Sequence, residues 1–345
     1  MKTKPITKFA ILALSLVLVA CAGGGSEEAG CPAIDGREIN VVATTPMIGE
    51  FVSQVGGENI NLTVLMPPEA NPHTYEPAPQ DAGTIAEADL VFYTGLLYEP
   101  AALVKLLENS ACSTDILSEV GESVFPIEFK EGGHDDHDDE EGHDDEEGHD
   151  DEEGHDDEEG HDDHEGHNHG AYDPHFWFDP SRVAYAAEYI ESRLIQFDPE
   201  NESSYISSAD SFVVELNDLT KQVSELISTV PSQNRKLITT HESLGYLEAK
   251  FGLEVLSTII PSLNSANEIS PSDLAGVIDV IEDNNVKVIF IESEAPSVYS
   301  ETIVAETGIK PVTGLYVETL KPGQSYSEFL ISNVTLITEN LQDTD

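Results

Sequence analysis

Basic residues are scarce in this sequence. Its 345 residues include 15 lysines and arginines against 67 aspartates and glutamates, so the formal charge is −52 at neutral pH. A chain with so little positive charge cannot neutralise a row of phosphates, which excludes nucleic acid as a partner. The expected ligands are cations.

Cysteine is also scarce. The three cysteines, Cys21, Cys31 and Cys112, are too few to supply a thiolate metal site. Cys31 and Cys112 either pair as a disulfide, which an exported protein allows, or remain free buried thiols.

Uninterrupted apolar runs are short, and the most prominent lies near the N-terminus. The stretch Phe9–Ala20 is preceded by three lysines and is too short to span a bilayer. Together with Cys21 it resembles a bacterial lipoprotein signal rather than a buried apolar segment with a chance cysteine. The resemblance implies removal of residues 1–20, lipidation of Cys21 and a flexible tether over residues 21–35. We therefore expect an exported protein, anchored at the outer face of the cytoplasmic membrane or in the periplasm.

Most of the histidines lie in one acidic run, residues 134–169, which repeats a Gly-His-Asp-Asp unit every six residues over much of its length. The run has no apolar side chain to bury, so we predict a disordered surface loop over residues 131–170. Imidazole with carboxylate favours weak, multi-site metal capture, whereas a purely solvated acidic spacer would not need a histidine in every repeat. Nine histidines belong to the run: His134, His137, His143, His149, His155, His161, His164, His167 and His169.

Short apolar runs alternate with amphipathic segments in both halves of the chain, which predicts an α/β fold with mainly parallel sheets flanked by helices. The segment Asn201–Val230 has apolar residues at helical spacing and no internal glycine or proline, and it predicts one long helix joining two lobes. The lobes are predicted at residues 36–200 and 231–345. The predicted strands are Ile39–Thr44, Asn61–Met66, Leu90–Thr94, Lys236–Thr239, Val255–Ile260 and Val286–Ile291, with helices at Pro46–Val55 and Ala101–Asn109 and a helix start at Ser270.

Three histidines lie outside the acidic run, each in a polar motif. His73 and His241 follow predicted strands, and ligands collect at the carboxyl ends of strands in open α/β sheets. Any one of these histidines alone is more simply explained as a hydrogen-bonded structural residue. All three together, with His175, favour a metal site.

The motifs around these histidines are PPEANPHTYEP, DPHFWFDP and THESLGYLEAKFGL, with the histidine-rich run between the first two. In this order they resemble the metal-binding solute receptors of ABC transporters, in particular the ZnuA-like zinc lipoproteins, from about Ile39 to Leu341. The resemblance implies two lobes joined by a stiff helix, with one metal ion in the cleft between them. It also implies His73 and His175 as ligands from the first lobe and His241 from the second. Manganese-type relatives typically have glutamate at this last position.

The fourth ligand position is where the sequence departs from that pattern. Relatives usually have aspartate in a Val-Asp-Ser stretch, whereas this chain has Val317-Glu318-Thr319. Glu318 is therefore the candidate, one methylene longer than the usual residue. The alternatives are binding through water, an open position, or a solvated surface glutamate.

Three imidazoles and one carboxylate form a tetrahedral set suited to zinc, whereas manganese prefers more oxygen ligands. Together with this ligand set, the resemblance implies a monomeric extracytoplasmic receptor that binds one Zn²⁺ tightly and several weakly, and delivers zinc to an ABC transporter permease. The alternatives are a manganese or iron receptor of the same family, or a passive metal-buffering or adhesion lipoprotein. An enzyme is not expected, because Gly245 replaces the second histidine that a His-Glu-x-x-His hydrolase motif starting at His241 would need.

Overall fold

The structure is a computed structural model that describes residues 31, 34, 36–129, 172–295 and 298–342. Cys21 and all nine histidines of the acidic run lie outside these residues. Among the described residues, no helix combines the length and the apolar character needed to cross a membrane.

The first half is built on a parallel sheet of four strands, in the order β2-β1-β3-β4. Its central strands β1 and β3 are almost continuously apolar because helices and loops cover both faces of the sheet. In chain order, the elements of this half are β1 (Ile39–Ala43), α1 (Pro46–Gly56), β2 (Ile60–Val64), α2 (Pro79–Ala86), β3 (Leu90–Tyr93), α3 (Ala101–Ser110) and β4 (Leu117–Glu119).

Two long helices, α4 (Pro180–Phe197) and α5 (Glu202–Ser228), connect the halves. Helix α5 has 27 residues, and its apolar stripe is buried along its whole length. The buried residues of this stripe are Tyr205, Ala209, Phe212, Leu216, Leu219, Val223 and Ile227. It packs against α1, α4 and the C-terminal helix α9 (Tyr326–Gln342), so it is a stiff connection.

The second half contains two parallel strand pairs, β5-β6 and β7-β8. Strands β5 and β7 lie side by side and are linked where both end, because the backbone N–H of Glu292 donates to Oγ1 of Thr240 at 3.0 Å. In chain order, the elements are β5 (Lys236–His241), α6 (Gly245–Phe251), β6 (Glu254–Ile260), α7 (Pro271–Asp283), β7 (Val288–Glu292), α8 (Val298–Thr307), β8 (Lys310–Leu315) and α9.

The two halves share one hydrophobic core. Phe51 of α1 packs edge-on against Tyr326 of α9, with ring centroids 5.3 Å apart. The Tyr326 hydroxyl donates to the backbone oxygen of Trp177 at 2.7 Å, and the Trp177 indole donates to the backbone oxygen of Val317 at 2.9 Å. These buried contacts fix the loop that carries His175 against the segment that carries Glu318. The predicted α/β architecture with a long central helix is confirmed, whereas the exact lobe boundaries remain predictions.

Cys31 and Cys112 form a disulfide in the structure, with Cα atoms 5.1 Å apart. Cys112 follows α3 and is partly buried against the apolar cluster beneath that helix. The bond therefore attaches the described start of the chain to the far end of α3. The alternative of two free thiols does not describe this structure.

Candidate metal centre

His73 lies in a one-turn 3-10 helix, Pro72–Thr74, in the loop that follows β2. Its backbone N–H donates to Oδ1 of Asn71 at 2.9 Å, and Pro72 fixes the first turn because its ring presets φ. The Asn71 amide in turn donates to Oγ of Ser265 at 3.0 Å, in the second half of the chain. The loop that carries His73 is therefore held from both halves.

His175 is fully buried and lies directly before the aromatic turn Phe176–Phe178. Oδ1 of Asp173 accepts hydrogen bonds from the backbone N–H of His175 at 2.9 Å and from its Nδ1 at 2.8 Å. A carboxylate at Nδ1 keeps the proton on that nitrogen, so Nε2 is left as a lone-pair donor. Nε2 points to the centre of the site.

His241 is the last residue of β5, which continues two residues beyond the predicted end at Thr239. It is fully buried, and the carboxylate of Glu292 accepts from both its backbone N–H and its Nδ1. Glu292 is the last residue of the neighbouring strand β7. The carboxyl ends of two adjacent strands thus supply one imidazole and the group that orients it.

Glu318 lies between β8 and α9 and is only 1% exposed, so it is not a solvated surface residue. Its Oε1 is 2.9 Å from Nε2 of both His73 and His241. Its Oε2 is 3.4 Å from Nε2 of His175. The structure therefore brings Glu318 together with all three histidines singled out in the sequence.

One ligand atom from each of these four side chains lies within 4.8 Å of the other three. Four ligands at about 2.0 to 2.1 Å from one zinc ion lie about 3.4 Å from each other, so the cluster has the size of a tetrahedral site. Nε2 of His175 and Nε2 of His241 are buried without a hydrogen bond of acceptable geometry in the described residues. Buried nitrogens left in this state fit a metal ion, which accepts a lone pair without needing a proton.

Charge in the metal-free cluster is balanced by protons. Burial lowers the pKa of His175, but the negative charge of Glu318 and the hydrogen bond to Asp173 outweigh it and raise that pKa to about 9. Burial likewise opposes protonation of His241, yet the charges of Glu292 and Glu318 hold its pKa well above the usual range. Burial favours the neutral form of Glu318, but the charges of His73, His241 and His175 keep its pKa well below the usual range. A divalent cation supplies the positive charge that these protons otherwise provide.

Three supporting residues were not identified from the sequence: Asp173, Glu292 and Tyr98. Asp173 lies two residues before His175 in the motif DPHFWFDP, and this proximity could have indicated a carboxylate that orients the imidazole. Glu292 follows the apolar run of β7, where ligand-orienting groups collect at strand ends. No sequence pattern pointed to Tyr98, because this residue and Glu318 are far apart in the chain. Folding brings the Tyr98 hydroxyl to 3.0 Å from Oε2 of Glu318.

The segments that flank the histidine-rich run meet close to the cluster. Glu128 and Tyr172 form an antiparallel bridge, and the backbone N–H of Asp173 donates to the backbone oxygen of Ile127 at 3.0 Å. The described chain therefore resumes at Tyr172, three residues before His175. His73 also borders a cleft of about 620 Å³, and Tyr98 and Asn264 are among the residues that line it.

Comparison with known proteins places this geometry in context. The family described as "Zinc-uptake complex component A periplasmic" (ZnuA) matches residues 41–340. The manganese-binding lipoprotein MntA of Halalkalibacterium halodurans is 22% identical over 339 residues, covering 96% of this chain and 97% of the relative. The high-affinity zinc uptake system protein ZnuA of Bacillus subtilis is 28% identical over 343 residues, covering 96% of each.

Solved structures share the fold. The periplasmic zinc binding protein TroA from Treponema pallidum superposes with a TM-score of 0.71 at 20% sequence identity, covering 88% of this chain and 99% of that one. At this identity the likeness concerns the arrangement of helices and strands, and the relatives named above include both manganese and zinc proteins.

Proposed function

The chain belongs to the family of periplasmic zinc-uptake complex component A proteins, and from that premise we propose that it is an extracytoplasmic receptor that binds one Zn²⁺ tightly. It delivers this ion to the permease of an ABC transporter. In this proposal His73, His175, His241 and Glu318 are the ligands, and zinc is the cargo that is carried and released.

The main support for zinc as the bound metal is the third imidazole, that of His241. Nε2 of His241 faces the same point as Nε2 of His73 and His175, with one carboxylate oxygen of Glu318 2.9 Å away. Three neutral nitrogens and one oxygen match tetrahedral zinc, whereas manganese favours oxygen-rich, six-coordinate sites. A manganese receptor that resembles this family typically has a glutamate oxygen at the position of His241.

The same arrangement argues against a hydrolase. A catalytic zinc site keeps an open position where water binds and is activated. Here the carboxylate of Glu318 lies against all three imidazoles and takes the fourth position. The centre is built to hold an ion and not to present it to a substrate.

The proposed mechanism of zinc binding and delivery depends on ligands that come from both halves of the chain. His73 and His175 come from the first half and His241 and Glu318 from the second, so a bound ion ties the two halves together. A permease that recognises this joined state would accept the loaded receptor in preference to the empty one. We propose that the ion enters through the acidic surroundings of the cleft beside His73, and that the receptor acts as a monomer.

Two further parts of the proposal concern residues outside the described structure. Lipidation of Cys21 would anchor the receptor at the membrane surface beside its permease. The histidines at positions 134–169 would bind additional zinc weakly, because a chain segment without a core must lose entropy to order around each ion.

The test is the metal preference of the purified mature protein. Elemental analysis of protein purified without added metal should find zinc, and competition titration should show zinc displacing manganese by a wide margin. His241→Glu should narrow this margin, because it adds an oxygen ligand. His164→Glu makes the same change within the acidic run and should leave the preference of the tight site unchanged. Tight manganese binding by the unmodified chain would overturn the zinc assignment.

A further inference from the structure

The two carboxylate oxygens of Glu318 have different neighbours. Oε1 lies 2.9 Å from the Nε2 atoms of His73 and His241, inside the ligand cluster. Oε2 lies 3.0 Å from the hydroxyl of Tyr98, which donates a hydrogen bond to it and is also 3.0 Å from the backbone oxygen of Glu318. The contact of Oε2 with Nε2 of His175 is longer, at 3.4 Å. Oε1 therefore faces the imidazoles of His73 and His241 directly, while Oε2 is held by a phenol and lies farther from His175.

Tyr98 cannot easily leave this position. It is 1% exposed, and its ring packs edge-on against His73 and Trp177 with centroid distances of 5.1 and 5.3 Å. It comes from the first half of the chain, whereas Glu318 comes from the second. The hydroxyl is thus held against the carboxylate by packing around the ring.

The loop that presents Tyr98 has an unusual backbone. Gly95, Leu96 and Leu97 have successive φ values of 77°, 53° and 63°, a left-handed region that leucine rarely adopts. Such conformations persist where the surroundings impose them and are concentrated at functional sites. Buried Glu99 accepts from the backbone N–H groups of Thr94 and Gly95 at 2.6 and 2.9 Å.

A second carboxylate completes the support of this loop. Glu119 accepts from the backbone N–H of Leu96 at 2.9 Å. Position 95 favours glycine, because its φ is 77° and a Cβ there would lie 2.0 Å from Oε1 of Glu119 and displace that side chain. The carboxylates of Glu99 and Glu119 therefore hold the strained turn at residues 95–97. This turn positions the Tyr98 hydroxyl against Glu318.

We propose that Tyr98 is a positioning residue that restricts Glu318 to coordination through a single oxygen and thereby selects a four-coordinate metal. A charge-assisted hydrogen bond at Oε2 competes with metal binding by that oxygen. Zinc is satisfied by the three imidazoles and Oε1, whereas manganese loses the additional oxygen that it needs. The inference rests on the proposed function, because it explains how a site with a glutamate in the fourth position remains selective for zinc.

The experiment compares Tyr98→Phe with the full-length unmodified protein, each loaded with less than one equivalent of metal so that only the tight site fills. Removing a group that orients a ligand typically changes metal affinity about 10- to 100-fold. We expect the ratio of zinc to manganese affinity to fall by about 10-fold or more. Co²⁺ bound in the same site should lose the strong visible absorption of tetrahedral coordination as Oε2 joins the ion.

Tyr205→Phe is the matched control. Tyr205 is also buried and its hydroxyl bonds a carboxylate, with Oδ2 of Asp198 2.6 Å away, but it lies in α5 away from the cluster. This variant should keep both the affinity ratio and the cobalt spectrum. If folded Tyr98→Phe lost zinc and manganese affinity equally and kept the cobalt spectrum, Tyr98 would be merely structural and the proposal would be overturned.

The unmodified protein supplies a test that does not depend on the variant folding. X-ray absorption of the zinc-loaded protein should show four nitrogen or oxygen ligands, together with the outer-shell scattering of three imidazoles. A five-coordinate site with both Glu318 oxygens bound would overturn the role of Tyr98. A lack of zinc preference in the unmodified protein would instead overturn the proposed function. In that case the coordination number of cobalt, with and without the Tyr98 hydroxyl, still decides whether Tyr98 controls Glu318.

Discussion

Glu292 accepts hydrogen bonds from both the backbone N–H and the Nδ1 of His241, although the two residues are far apart in the sequence. They meet because β5 and β7 run side by side and end at the same edge. The two bonds fix the ring in one orientation, so that Nε2 can donate its lone pair to a metal ion once its proton is displaced. The His241 imidazole is therefore set for a metal ion before any ion arrives.

Glu292→Gln should weaken this preorganisation. We expect zinc affinity of the tight site to fall about 10- to 100-fold, as is typical when a group that orients a ligand is changed. Glu254→Gln, an exposed position on β6, is the control and should leave affinity unchanged. Competition titration with a zinc chelator measures both, and equal affinities of the two variants would contradict a role for Glu292.

Stability of the metal-free protein should depend on pH. The pKa of His175 in the folded chain is about 9, above its ordinary value of 6.5. The folded state therefore binds a proton more tightly than the unfolded state, so this contribution to stability is complete below pH 6.5 and is lost as pH rises through 9. His241, whose pKa is also raised, acts in the same direction.

The melting temperature of the chelator-treated protein, followed from about pH 6 to 10, checks this dependence. His175→Gln removes one of the titrating groups, so its melting temperature should fall less over the same window. Zinc must displace the protons, so its affinity should rise with pH across this range. A metal-free protein whose stability increased between pH 6.5 and 9 would contradict the charge arrangement in the cluster.

Deletion of residues 134–169 should separate the two kinds of zinc binding. The flanking segments are already joined by the bridge between Glu128 and Tyr172, so a short connection can replace the run without moving Asp173. We expect the deletion to remove several weak zinc equivalents and to leave one tight site, as measured by calorimetric titration. Loss of the tight site would mean that the run contributes ligands to the cluster.

Zinc bound by side chains from both halves of the chain should stabilise the folded protein. A ligand that binds only the folded state stabilises it by about 4 kcal/mol when its free concentration is a thousand times Kd. The run is predicted to bind zinc alike in the folded and the unfolded state, so at equal free zinc this gain should be similar in the intact protein and in the protein lacking residues 134–169.

In that shortened protein, His73→Ala and His241→Ala should each reduce the zinc-induced rise in melting temperature. The two ligands lie in different halves, so an ion held by both halves depends on each. If His241→Ala left the rise in melting temperature unchanged while His73→Ala removed it, one half alone would hold the metal. The proposal that zinc links the two halves would then be wrong.

Much of the fold was accessible from the sequence, because apolar periodicity is a local property. The predicted strands begin and end within two residues of those observed, and the predicted linking segment 201–230 contains the helix Glu202–Ser228. Strands β4 and β8 were not predicted. Strand β4 has only three residues, and β8 is interrupted by Pro311 and Gly314, so neither gives a continuous apolar signal.

Residue type and motif order alone identified the three histidines, the acidic run and the carboxylate at position 318, because both are properties of the linear chain. That these side chains meet depends on the packing of the whole chain, since they come from loops and strand ends of both halves. The tertiary structure also decided that Asp173 and Glu292 orient two of the imidazoles and that Tyr98 holds the second oxygen of Glu318. Hydrogen bonds between residues distant in sequence depend on how strands and helices pack, and that packing leaves no local pattern in the sequence.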